Sequence, residues 1–166
     1  MPLKDYLFQD FKLKAESIFD LGELYKSLFR WFELHNYSFF EREYKDIDEP
    51  AGKHIEIFWQ AEKEIDAYVK FVIELNYFVL GMQKVEIEKG GVKIKTNKAT
   101  MEFRITAYLL KDYGDKFSKA PLGKEIRFIY DKIIAKSRLD KYEGLLTNEV
   151  NQMMDEIKAF IDIHKY

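Results

Sequence analysis

A chain of 166 residues, 47% hydrophobic and 16% aromatic, is long enough to bury one good core and too short for two, so residues 1–166 read as a single domain. The absence of cysteine excludes disulfide frameworks, zinc ribbons, iron–sulfur clusters and thiol nucleophiles. Lys plus Arg number 27 against 29 Asp plus Glu, a net charge of −2; that balance provides no overall field for nucleic acid or anionic lipid, and neither is expected as a partner.

Met1 to Asp5 show no basic stretch followed by an apolar one, and the most apolar run, Ala67 to Met82, is broken by Lys70 and Glu74, so a cytoplasmic protein is expected. A charged fraction of 34% with few Gln and Asn is the balance of heat-adapted chains. Phe11 to Phe19 alternate loosely and predict an opening strand. Asp20 and Glu23 form an Asp-x-x-Glu capping box, and the spacing of Leu21, Leu24, Tyr25, Leu28, Phe32 and His35 predicts a helix behind it. Phe29, Trp31 and Leu34 widen its apolar stripe, so the helix is expected to be covered on two sides or to wall a cavity.

From Tyr37 the period becomes two. Strands are predicted on either side of Asp48-Glu49-Pro50-Ala51-Gly52, a turn marked by Pro and Gly. Ala67 to Val79 reads as a long strand rich in β-branched and aromatic residues, with a helix over Glu62 to Leu80 as the rival. Gly90-Gly91 predicts a two-residue hairpin turn. Its register opposes Glu88 to Lys93, Ile87 to Ile94, Glu86 to Lys95 and Val85 to Thr96, whereas a one-residue slip would set Glu against Ile. A last strand runs from about Thr100 to Leu110, with Met101, Phe103, Ile105, Ala107 and Leu109 inward. Pro121 then suits the first turn of a helix whose buried stripe is Leu122, Ile126, Ile129, Tyr130 and Ile133. Asp140 to Glu143 predict a second capping box. The final helix has a seam of Leu146, Val150, Met153, Ile157, Phe160 and His164, with Leu145, Met154 and Ile161 beside it.

The expected fold is therefore α+β: a curved antiparallel sheet of about five to seven strands, with a helix in the N-terminal half and C-terminal helices packed on one face. In its order of elements, over most of the chain, this resembles the helix-grip architecture of the START-like and polyketide-cyclase-like superfamily. That superfamily commonly has two short helices after the first strand and one long terminal helix, where one and two are read here. The resemblance implies an apolar pocket between sheet and terminal helix for a lipid-like or aromatic ligand.

No catalytic constellation emerges. His35, His54 and His164 are far apart and lack the i, i+4 spacing of a helical zinc site, so no metal and no cofactor are expected. No Gly-x-Ser-x-Gly elbow surrounds any serine, and Gly90-Gly91 precedes a strand, not a helix, so it cannot cradle phosphate. The carboxylate pairs Glu41/Glu43, Glu56/Glu62 and Glu74/Glu102 share their strands with Arg42, Lys70 and Arg104, the pattern of solvated ladders. What remains is surplus apolar surface: between Val69 and Leu80 both parities carry large apolar residues, Phe71, Ile73 and Leu75 on one and Val72, Phe78 and Leu80 on the other.

The leading expectation is accordingly a non-catalytic binding protein with an apolar pocket or groove for a hydrophobic small molecule or partner segment. Trp31, Trp59, Phe71 and Tyr77 would line it, with Arg104 or Tyr108 as polar anchors. The first alternative is an assembly subunit, a homodimer through the Leu146–Phe160 seam or the sheet edge. The second is a small cyclase- or hydrolase-like enzyme using Glu41, Glu43 or Glu102 with His35.

Overall fold

The structure, a computed structural model, describes residues 2–117 and 119–163, the last through its backbone alone; His164 of the expected seam lies outside the described residues. The chain folds as β1 (Leu3–Phe19), α1 (Leu21–Leu34), β2 (Ser38–Glu49), β3 (Gly52–Glu64), β4 (Val69–Lys89), β5 (Val92–Lys111), α2 (Gly123–Ile129), a single π-helical turn (Tyr130–Ile134) and α3 (Lys136–Ile163). One antiparallel sheet has the order β1-β5-β4-β3-β2, so β1 joins the last strand of a four-stranded meander. The sheet is curved and open, with the helices on one face: the α+β architecture expected.

Local chemistry accounts for much of this. The Asp20 carboxylate accepts from the Glu23 amide at 3.1 Å and starts α1, whose Leu24, Leu28, Trp31 and Phe32 are buried. Leu34 instead faces water, and His35 closes the helix, its ring Nδ1 2.8 Å from the Trp31 carbonyl. The Gly90-Gly91 hairpin has the expected register, Glu88 to Lys93 through Val85 to Thr96, and both glycines take the positive φ of such a turn. Ala67 to Val79 is strand, not helix.

Four expectations about element limits are corrected. β1 begins at Leu3, not near Phe11, because bulges at Tyr6/Phe8 and Phe8/Phe11 interrupt its alternation without ending its pairing. The hairpin strand and the last strand are one continuous β5, and β4 runs unbroken from the sheet body into the hairpin arm. The register shift in β4 falls between Leu80 and Gln83, at Gly81, next to the β2–β3 turn: a Cβ on Gly52, whose φ is +123°, would stand 2.7 Å from the Gly81 carbonyl carbon. Asp140 caps nothing, since α3 starts at Lys136 and carries it as an interior residue.

The helix-covered face holds the core. Ile55, Ile57, Trp59 and Ala61 of β3, alternate residues Val69 to Val79 of β4 and Met101 to Leu109 of β5 are buried beneath α1 and α3. From α3, Leu146, Val150, Met153, Met154 and Ile157 are buried, while Leu145 is exposed. The seam offered for a homodimer thus faces the chain's own sheet. Glu149 ties α3 down, its carboxylate accepting from the Tyr37 hydroxyl and the Lys63 ammonium, each at 2.5 Å. On the opposite face Val72 is buried, and half-buried Phe78 packs edge-on against Phe58 with Arg104 above its ring.

Candidate functional site

Of the residues expected to line a site, Trp31, Trp59, Phe71 and Tyr77 lie on the helix-covered face, all buried. Trp59 meets the rings of Tyr25, Phe32, Phe39 and Tyr77 at centroid distances of 4.5 to 6.2 Å. Arg104 and Tyr108 stand on the opposite face, one bonded to Glu102 at 2.7 Å and the other to Glu74 at 3.1 Å. The six therefore do not converge: the sheet separates the aromatic four from the polar two.

Sequence parity also fails in β2. A bulge at Arg42 shifts the register, so Glu41 pairs with Trp59 but Glu43 with Phe58, and the two carboxylates fall on opposite faces. Glu41 accepts from the Tyr25 hydroxyl at 2.7 Å and the Trp59 indole at 3.0 Å. Partial burial together with that carboxylate pushes the Tyr25 hydroxyl up to about 12. The nearby Tyr77 hydroxyl is buried and has no hydrogen-bond partner among the described residues. Because an unpaired buried donor is a net cost, Tyr77→Phe is expected to raise stability by about 1 kcal/mol, read as a higher urea midpoint; a lower midpoint would mean that the hydroxyl is engaged. Of the remaining acids, Glu56 and Glu102 form ladders with Lys45, His54, Lys12 and Arg104. His54 is half-buried and bonded to Glu56 at 2.8 Å.

A heavily charged cleft, of about 460 Å³, lies where the start of β1 and the end of β5 meet the segment from α2 into α3. Lys111, at the end of β5, keeps the inward parity of its strand, and its ammonium reaches Asp131 of the π-turn at 3.0 Å and Asp5 at 3.7 Å. Tyr68 donates to the same Asp131 at 2.6 Å; burial and that carboxylate push its hydroxyl well above the usual range. Asp112 is fully buried, accepts from the amides of Lys116 and Phe117, and faces the Arg127 guanidinium at 3.8 Å. Asp66, in the β3–β4 turn, accepts from the amides of Tyr68 and Val69 and from the Tyr142 hydroxyl, and pairs with the Arg138 guanidinium at 3.5 Å. Burial alone would raise the Asp66 carboxyl, but those donors outweigh it and hold it below 3.8.

No protein-family model matches this sequence, and no curated protein does. The site must be read from its own chemistry.

Glu143 on α3 opposes Asp5, and burial together with that hydrogen-bonded carboxyl and Asp140 raises it above 4.5, with Lys111 opposing. A carboxyl raised on folding binds its proton more tightly in the native state, so it removes stability as pH climbs from 4.5 upward. Glu143→Gln is therefore expected to be more stable than the native chain at neutral pH and indistinguishable from it below 4.5, checked by thermal melts across that range.

The network inverts the segment above it. Its inward positions are Gly123, Arg127, Asp131, Ala135 and Leu139, while Leu122, Ile126, Ile129 and Ile133, expected as a buried stripe, are 45 to 74% exposed. Tyr130 alone of that stripe is half-buried, against Tyr68 and Phe117. Pro121 precedes α2, which starts at Gly123 after Leu122 in the left-handed region. The π-turn, closed by the Ala135 amide on the Tyr130 carbonyl at 2.8 Å, adds one residue to the helical register. That rephasing leaves Ile133 and Ile134 both outward and returns Ala135 and Leu139 to the core. Phe128, 64% exposed, flanks the ridge.

Proposed function

We propose that this chain is a non-catalytic binding protein whose site is an apolar surface, the ridge Leu122–Ile134, instead of an interior pocket. One observation carries the reading: the segment turns the half-buried Arg127 and Asp131 inward and six large apolar side chains to water. Ordinary amphipathic helices do the reverse, because burying a Leu, Ile or Phe side chain is worth about 1.5–3 kcal/mol while burying a charge costs unless it is paired. A contiguous exposed apolar patch on a small protein marks a surface that meets a hydrophobic partner. An enclosed ligand is less favoured, since Trp31, Trp59, Phe71 and Tyr77 all belong to one buried cluster with residues of α1 and α3.

The reading is tested with an environment-sensitive apolar dye. The native chain is expected to brighten the dye, and the double variant Ile126→Ser/Ile133→Ser to lose most of that signal with an unchanged melting temperature. Equal brightening by both would refute the ridge as the adhesive surface.

A further inference from the structure

Charge is distributed unevenly around the ridge. The chain carries −2 overall, yet residues 116–138 hold seven cationic side chains against two acidic ones. Asp131 is engaged by Lys111 and Tyr68, and Arg127 faces Asp112. What faces water is Lys116, Lys119, Lys124, Lys132 and Lys136, with Glu125 as the one exposed acid of the segment, and among the described residues none of these five lysines is ion-paired. The balance of the whole chain conceals this concentration.

Resting on the reading of the ridge as a binding surface, we infer that it docks on an anionic lipid bilayer. Leu122, Ile126, Ile129, Ile133 and Ile134 would sit at the boundary between headgroups and acyl chains, with the lysines among the anionic headgroups. Two independent attractions, apolar insertion and a polybasic rim, are the combination that holds a peripheral protein on a membrane. Shape points the same way: side chains 70 to 74% exposed, as Leu122, Ile133 and Ile134 are, stand proud of the surface and can enter a fluid, whereas a peptide helix is received by a groove. A second copy is disfavoured because a two-fold contact would bring one lysine rim against the other. Among the described residues no helix is long and apolar enough to cross a membrane.

Co-sedimentation with vesicles tests this, comparing pure phosphatidylcholine with phosphatidylcholine containing phosphatidylglycerol. The native chain is expected to bind the anionic vesicles at least about tenfold more tightly than the neutral ones, several lysines each contributing near the surface, and to lose affinity as salt screens them. Lys124→Gln/Lys132→Gln should weaken binding to anionic vesicles alone, and Ile126→Ser/Ile133→Ser to both kinds. Absence of binding to anionic vesicles, or equal binding by all variants, overturns the inference. If the dye brightens on the native chain and not on the serine variant while vesicles go unbound, the adhesive ridge stands and the lipid partner falls; if the dye stays dark on both, the two fall together. A dimer by light scattering that the serine variant abolishes assigns the ridge to a second copy and likewise overturns it.

Discussion

Asp112→Ala is expected to lower folding stability by about 3 kcal/mol, the low end of the cost of breaking a buried ion pair. The side chain is fully buried just after β5, where its two oxygens receive the Lys116 and Phe117 amides and face Arg127. Alanine strands all three donors at once, and an unsatisfied buried donor costs about 1–3 kcal/mol. Arg127 can recover some hydration, which keeps the figure from rising higher. Asp112→Asn retains one acceptor for the amides and should cost roughly half as much. Urea denaturation checks both, and a loss below about 1 kcal/mol for alanine would mean that the network does not hold the α2 segment in place. The same variant should speed proteolysis between Lys116 and Lys136, because Asp112 fastens the loop that presents the ridge.

Trp59→Ala is expected to cost about 4 kcal/mol, within the range for removing a buried aromatic side chain. The indole is 1% exposed, contacts four other rings and donates to Glu41. For a chain of this length that corresponds to a fall in Tm of roughly 8–16 °C, measured by thermal unfolding. The experiment also decides between a filled interior and a ligand cavity: a residue walling an empty space has fewer contacts to lose, so a cost below about 2 kcal/mol would restore the pocket. Trp59→Phe should retain most of the stability, with Glu41 still bonded to Tyr25.

The two variants probe the parts of the molecule that differed in legibility. The core of β3, β4 and β5 was readable because period-two alternation and cross-strand charge pairing are written in consecutive residues: Glu88 opposite Lys93 and Ile87 opposite Ile94 need only a two-residue turn to meet. Asp20 was readable as a cap for the same local reason. The bulge at Arg42 was not, since nothing in Phe39 to Lys45 signals which residue will be skipped, and strict alternation would put Glu41 and Glu43 on one face when they occupy two. Asp140 carried the pattern of a cap but lies inside a helix that Ala135 and Leu139 anchor to the core.

The stripe Leu122, Ile126, Ile129 and Ile133 is the most instructive departure. Helical spacing of apolar residues identifies a face, and by itself it does not say what the face meets. Lys111, Asp112, Asp66 and Asp5 come from three separate places in the sequence, and only their convergence at one end of the sheet creates a polar floor on which Arg127 and Asp131 are the better fit. Element types, hairpin register and the wet and dry sides of each central strand follow from short-range pattern, where a residue's neighbours along the chain set its options. Which side of the α2 segment turns inward, and hence where this protein offers an apolar surface, was decided by side chains as far apart in sequence as Asp5 and Lys111, because burial and ion pairing depend on distance in space.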